Sequence, residues 1–205
     1  MPRQPLTEPE RDAVRQRILD AAQELFDAEG IQAVSMRAIG GRVGLTASAL
    51  YAYFPAKMDL IRALWRGTLL DLERRLREMS AAESDPIRNL VNLGLAYAEF
   101  ALAEPVRFRL LFLSTSISDL EFESAPETRA AYNLLRERTA EAIAQGRLRI
   151  TDADLASQTL WSALHGVLTL VNTCGAFPLE NPVVLIRTMI DTVLRGLVAG
   201  DFEGV

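Results

Sequence analysis

The chain has 205 residues, 49 % of them apolar, and a net charge of −5. That is enough apolar material for a packed core in one ordinary domain or two small ones, which excludes a disordered chain. A lone cysteine, Cys174, excludes an internal disulfide, and no stretch reaches the roughly 18 apolar residues of a membrane span.

The first ten residues, Met1 to Glu10, lack the apolar run of a signal peptide, so a soluble cytoplasmic protein is expected. Helical periodicity then runs through nearly the whole chain, with no convincing alternation at period two. Thr7 and Glu10 have the spacing of a capping box, and Val14, Ile18, Ala21, Ala22, Leu25 and Phe26 form one apolar stripe behind it. Gly30 suits the C-terminal cap of that first helix. Ser35 opens a second helix and Thr46 a third, because each hydroxyl can accept a free backbone N–H. Gly44 marks the turn between them, and Pro55 closes the third. Ile18, Ala22, Leu25 and Phe26 are expected to share a core with Val34, Ile39, Val43, Leu45, Leu50 and Phe54.

A long helix follows from about Lys57 to Met79, with Leu60, Ile61, Leu64, Trp65, Leu69, Leu72 and Leu76 apolar. Ser84-Asp85-Pro86 starts the next, with Pro86 in first position. Pro105 breaks it from a shorter segment rich in Phe108, Leu110, Leu111 and Phe112. Residues 114–125 read as a loop. Helices then run from about Pro126 to Gly146, from Thr151 and Asp154 to about Cys174, and from Pro182 to about Val198. No internal repeat of solenoid period occurs. The fold class is all-α.

Residues 35–57 hold the most functional information. Two short helices around Gly44 have the pattern of a helix-turn-helix, whose second helix enters the DNA major groove. On or beside that helix lie Thr46, Ala47, Ser48, Tyr51 and Tyr53. Hydroxyls can meet phosphate or base edges, and a small alanine can touch a thymine methyl. Arg37 can read guanine or grip phosphate, and Lys57 starts a helix, where its charge and the helix N-terminus both favour phosphate. The acidic total argues mildly against nucleic acid, but residues 31–66 carry five cations against Asp59 alone, a local +4 that leaves −9 for the rest. Taken singly, each feature has an ordinary structural reading: a glycine between short helices is common, Tyr51 and Tyr53 suit half-buried positions, and Arg37 suits a solvated surface.

The order of residues narrows these alternatives. Arg17-Ile18-Leu19-x-Ala21-Ala22-x-x-Leu25-Phe26 is followed by Gly30, by Val34-Ser35-Met36-Arg37-x-Ile39, by Val43-Gly44-Leu45, and by Leu50-Tyr51-x-Tyr53-Phe54-x-x-Lys57-x-x-Leu60. Over roughly residues 13–62 this closely resembles the N-terminal DNA-binding domain of the tetracycline-repressor (TetR) family. The resemblance implies an all-α homodimer, with residues 1–56 as the three-helix DNA-binding domain and 57–205 as a larger helical domain for ligand binding and dimerisation. It implies that Arg37, Thr46, Ala47, Ser48 and Tyr51 face the major groove and that Tyr53 and Lys57 contact phosphate. One departure is Gly40-Gly41 inside the second helix, where the family more often has alanine and a polar residue. A glycine costs about 1 kcal/mol against alanine in a helix interior, so a looser head is expected.

Beyond residue 67 the resemblance says less. Trp161-Ser-Ala-Leu-His165-Gly166 looks like the Trp-x-x-x-His-Gly signature of one C-terminal subclass. The family implies that the last two helices pair with their copies, and Ala156, Ala163, Val167, Leu170, Val171, Ile186, Ile190, Val193, Leu194 and Leu197 suit such an interface, though some of them must be ordinary core of one subunit. It also implies an effector pocket, for which Phe100, Phe108, Leu111, Phe112, Tyr132, Trp161, His165 and Asn172 are candidate lining residues. Apolar walls with a few polar groups suit a hydrophobic effector. His165 is the chain's single histidine and lies nine residues before Cys174, off the spacing of zinc ligands, so neither metal nor cofactor is expected. One histidine, one cysteine and no glycine-rich phosphate loop leave little for an enzyme to work with. The expected function is a DNA-binding transcriptional regulator, most simply a repressor released from a palindromic operator by a small molecule, with no membrane partner. The alternatives are a helical protein-interaction module and a regulator without effector control.

Overall fold

A computed structural model of the chain describes residues 7–112, 126–200, 202 and 204. The first six residues and the loop expected over 114–125 lie outside the described residues. Among those described are nine helices: α1 (Glu8–Glu29), α2 (Met36–Val43), α3 (Ala47–Tyr51), α4 (Lys57–Ala81), α5 (Pro86–Ala103), α6 (Pro105–Phe112), α7 (Pro126–Ala144), α8 (Ala153–Thr173) and α9 (Pro182–Leu197). The described residues hold no strand, and no helix among them is long and apolar enough to cross a membrane. Two compact units form, Met1–Gly67 and Thr68–Val205, with α4 running across the division.

The first unit is built on the stripe of α1. Ile18, Ala22 and Phe26 are buried with Val34, Ile39, Leu50 and Phe54, as the periodicity indicates, while Leu25, Val43 and Leu45 stay half-buried. Met36 joins this core. Glu10 reaches back to accept the Thr7 backbone N–H at 2.8 Å, which starts α1, and Gly30 ends it at φ 83°. Leu60, Ile61 and Leu64 are also buried, so the first turns of α4 belong with this unit and the division falls at Gly67.

In the second unit α5 is central. Ile87, Leu90, Leu93, Tyr97, Phe100 and Ala101 form one buried stripe along it, and it packs against α6, α7, α8 and α9. A Cβ on Gly94 would lie 3.4 Å from Ile190 Cδ1 and 3.5 Å from Leu164 Cδ2, in ordinary contact with α9 and α8. Side-chain oxygens start three of these helices: Asp85 accepts from the N–H groups of Ile87 and Arg88, Asp152 from Asp154 and Leu155, and Asn181 from Val183 and Val184. Buried Asn89 donates to the Ser80 and Glu83 carbonyls at 2.8 and 2.9 Å, satisfying the C-terminal end of α4.

Three expectations change. The third helix ends at Tyr51, before Pro55, because the N–H groups of Tyr53 and Phe54 both turn back to the Leu50 carbonyl. Of the residues suited to an interface, Ala156, Val167, Ile186, Ile190, Leu194 and Leu197 are buried within the chain, while Ala163, Val171 and Val193 are half-buried and Leu170 is exposed. The outward faces carry Leu155 and Leu170 on α8, and Val183 and Val184 on α9. The two glycines of α2 are also not equivalent. A Cβ on Gly40 would stand 3.0 Å from the Leu45 carbonyl oxygen, whereas one on Gly41 would meet nothing within 4 Å.

A candidate nucleic-acid interface and an aromatic cage

The first unit presents a short polar helix on a rigid base. Gly44 adopts the left-handed conformation at φ 71°, where a side chain would be strained, and the Leu45 N–H closes on the Gly40 carbonyl at 2.8 Å. Thr46 then starts α3 by accepting the Ala49 N–H at 3.2 Å, and Ser35 starts α2 by accepting that of Ala38 at 3.2 Å. Leu50 and Phe54 are fully buried and pin α3 from below. What remains outward is Thr46, Ala47, Ser48 and Tyr51, the last 47 % exposed. Ser48 and Tyr51 stand three residues apart and Ala47 and Tyr51 four, so they share one helix face. Arg37 is exposed in the first turn of α2 and forms no ion pair among the described residues.

Tyr53 and Lys57, the two residues expected at phosphate, are both half-buried. The Tyr53 carbonyl accepts from Arg15 at 3.2 Å while the Arg15 guanidinium lies over the Phe54 ring, 4.2 Å from its centre. The Lys57 ammonium donates to the Ile31 carbonyl and lies 5.8 Å from the Phe26 ring centre, and burial holds its pKa below the usual lysine range. The local positive charge is also reduced, since Arg42 pairs with Glu24, which lies outside residues 31–66, at 2.9 Å; Arg62 pairs with Asp59, already counted, at 3.0 Å. Nothing in the sequence marks Arg15 for its contact with Tyr53, and Arg17 enters there only as part of the motif. Arg17 donates to the Val43 carbonyl at 3.3 Å and ties the end of α2 to α1.

The second unit gathers rings from four helices. His165 of α8 stands edge-on to Phe112 of α6 at 4.9 Å between centres, with Phe108 at 5.5 Å and Trp161 at 5.6 Å. Tyr132 of α7 continues the cluster, 5.9 Å from Trp161. Five of the eight candidate lining residues therefore meet. Phe100 and Leu111 are buried core, and Asn172 holds α8 to α5 by donating to the Leu168 and Ala101 carbonyls. Tyr97, unread because its spacing on α5 is that of core, proves central: its hydroxyl lies 2.7 Å from His165 Nδ1. Burial pushes the Tyr97 phenol well above its ordinary pKa against the opposing pull of a hydrogen bond from Trp161, and burial pushes His165 down. Beside the rings, Arg107 of α6 joins Glu104 and Asp71 and donates to Thr68 at 3.2 Å, while Arg75 bonds Asp71 at 2.7 Å and Glu104 at 2.6 Å. Burial pushes the Asp71 carboxyl up, but Arg74, Arg75 and Arg107 outweigh it and hold it below the ordinary range.

Comparison with known proteins agrees with both halves. The family described as "Bacterial regulatory proteins, tetR family" matches residues 18–64, and "Tetracyclin repressor-like, C-terminal domain" matches residues 90–193, half of the chain. The chain is similar to the transcriptional regulator AcrR of Shigella flexneri, 28 % identical over 132 residues that span 64 % of this chain and 61 % of that protein. It is 36 % identical to the transcriptional regulator SrpR of Pseudomonas putida over 58 residues, 28 % of this chain and 27 % of that one. The chain thus covers less than two thirds of the length of these curated relatives. Among solved structures, a protein of unknown function from Rhodococcus sp. RHA1 shares the fold at a TM-score of 0.78 and 23 % identity, covering 91 % of this chain and 96 % of that one.

Proposed function

Because this chain belongs to the tetracycline-repressor (TetR) family of bacterial regulators, we propose that it is a cytoplasmic, sequence-specific DNA-binding regulator, acting as a repressor rather than as an enzyme. The observation that carries this reading is the head: an exposed Thr46, Ala47, Ser48 and Tyr51 on a short helix braced from below by Leu50 and Phe54. Small and hydroxyl-bearing side chains at a helix start let the backbone approach base edges, and Arg37 and Tyr53 flank that surface as phosphate or guanine partners. Lys57 serves the same surface from beneath, holding the Ile31 carbonyl and the Phe26 ring.

The protein acts as a homodimer through α8 and α9. The support is their outward face: Leu155 is 55 % exposed, Leu170 47 %, Val183 52 % and Val184 59 %, apolar surface on two adjoining helices that a twofold copy covers. Two heads then reach successive major grooves about 34–36 Å apart, which requires a palindromic operator. A small hydrophobic effector binds the ring cluster of Tyr97, Phe108, Phe112, Tyr132, Trp161 and His165. It releases DNA by favouring a form whose heads no longer match the groove spacing.

Selection of random duplexes by the purified chain tests this reading. A palindrome with half-sites one helical turn apart is the expected product. No enrichment from a sample shown to be a folded dimer, before and after refolding to strip bound ligand, would overturn it.

A further inference from the structure

Within the ring cluster one polar relay has a fixed direction. The Trp161 indole is a donor only, so it offers the Tyr97 hydroxyl no acceptor. The Tyr97 hydroxyl, in a side chain only 8 % exposed, has His165 Nδ1 at 2.7 Å as its acceptor. Were Nδ1 protonated, the buried phenol hydrogen would have no acceptor among the described residues, which is the costly arrangement. The hydroxyl therefore donates to Nδ1, and the hydrogen of the neutral imidazole sits on Nε2. That nitrogen has no hydrogen-bond partner among the described residues, yet it belongs to a half-buried ring bounded by Phe108, Phe112 and Trp161.

Two of the arginines flanking the cluster are already paired. Arg107, next to Phe108 on α6, is held by Glu104 and Asp71, and Arg109 is exposed. Near Tyr132, Arg136 grips Asp154 at 2.6 Å, and the Tyr132 hydroxyl bonds the same carboxylate. Arg107 and Arg136 are thus held by carboxylates, and Arg109 and Arg129 are exposed to solvent, so a carboxylate or phosphate entering the cluster would have to break an existing pair or draw in a solvated guanidinium, the group that recognises such anions.

We propose that the effector bound by this cage is an uncharged ring compound carrying one oxygen acceptor, and that His165 Nε2–H, oriented by Tyr97, is the donor that reads that oxygen. The inference rests on the regulator reading for its biological meaning but not for its test, which needs no DNA. Failure of the titration below leaves DNA selection standing, and failure of DNA selection leaves the titration standing.

Three probes of nearly the same shape separate the chemistry: naphthyl methyl ketone, isopropylnaphthalene and naphthoate, titrated calorimetrically into the full chain. The ketone is expected to bind about tenfold tighter than the hydrocarbon, the value of one net hydrogen bond. Naphthoate is expected to bind at least about 100-fold weaker than the ketone, because its charge is buried unpaired. In His165→Phe the ketone preference falls to about one, with the hydrocarbon still bound. A second readout needs no variant, since His165 is the chain's only histidine. Isotope-labelled histidine in tag-free protein gives one pair of ring-nitrogen signals, expected to report the Nε2–H tautomer, with the ketone moving the Nε2 signal most. Tightest binding of naphthoate, a ketone preference that survives His165→Phe, an Nδ1–H tautomer, or no binding of any probe would each overturn the proposal.

Discussion

Gly40 and Gly41 are neighbours in α2, yet alanine at each should act in opposite directions. Gly41 is exposed, its φ is ordinary, and an added Cβ meets nothing within 4 Å. Gly41→Ala therefore gains only the helix-propensity difference and the lost freedom of the unfolded chain, about 1 kcal/mol in total. At Gly40 the new Cβ would sit 3.0 Å from the Leu45 carbonyl oxygen. That atom is backbone, in a turn held by the 2.8 Å bond from the Leu45 N–H to the Gly40 carbonyl, so it cannot swing aside. Overpacking of this kind costs about 1–3 kcal/mol, which matches or exceeds the propensity gain. Native-state hydrogen exchange of the α2 amides reads both effects. Protection should rise about fivefold in Gly41→Ala and fall or stay level in Gly40→Ala. Equal stabilisation by both substitutions would refute the reasoning, since it would mean the turn has room for a methyl group.

Other consequences are as direct. Lys57→Met should destabilise the head by about 1–2 kcal/mol in denaturant unfolding through loss of the bond to the Ile31 carbonyl, while the salt dependence of DNA binding stays unchanged; a slope shallower by about one would instead assign Lys57 to a phosphate. Asp71 has its folded pKa below its unfolded value of 3.8, so the stability it contributes is present above that value and is lost as pH falls through the lower, folded one. Asp71→Asn should accordingly flatten the decline in melting temperature below about pH 4; a decline of unchanged steepness would remove Asp71 as its source. Val184→Glu should weaken self-association at least about tenfold in sedimentation equilibrium, because the exposed valine becomes a charge inside the twofold contact. An unaltered dimer would move the interface off α9.

Much of this was legible in the chain. Period-3.6 apolar spacing and end signals such as Ser35, Gly44, Thr46 and Pro86 mark the helices because those residues act locally, on the nearest free N–H or the required backbone angle. The head's outward residues follow from the same spacing. What sequence could not separate was which apolar face looks inward: Ile186, Ile190, Leu194 and Leu197 suit a subunit core as well as a dimer contact, and only packing against α5 and α8 decides. Tyr97 was hidden for a related reason. It occupies a core position on α5, and its partner His165 is 68 residues away, so nothing local marks the hydroxyl as a functional group. The Lys57 ammonium was likewise read from its place at a helix start, whereas the Ile31 carbonyl that holds it comes from a distant turn.

The most direct test of the central claim is the salt dependence of binding to the selected duplex, measured by fluorescence anisotropy. Log affinity against log salt should fall with a slope of about −2 or steeper, since each of two heads offers at least Arg37 and each phosphate neutralised adds about −0.9. Arg37→Ala and Tyr51→Ala should each weaken binding by about 1–3 kcal/mol at fixed salt. A slope near zero, with affinity indifferent to both substitutions, would contradict the account and mark the head as a surface for protein rather than DNA.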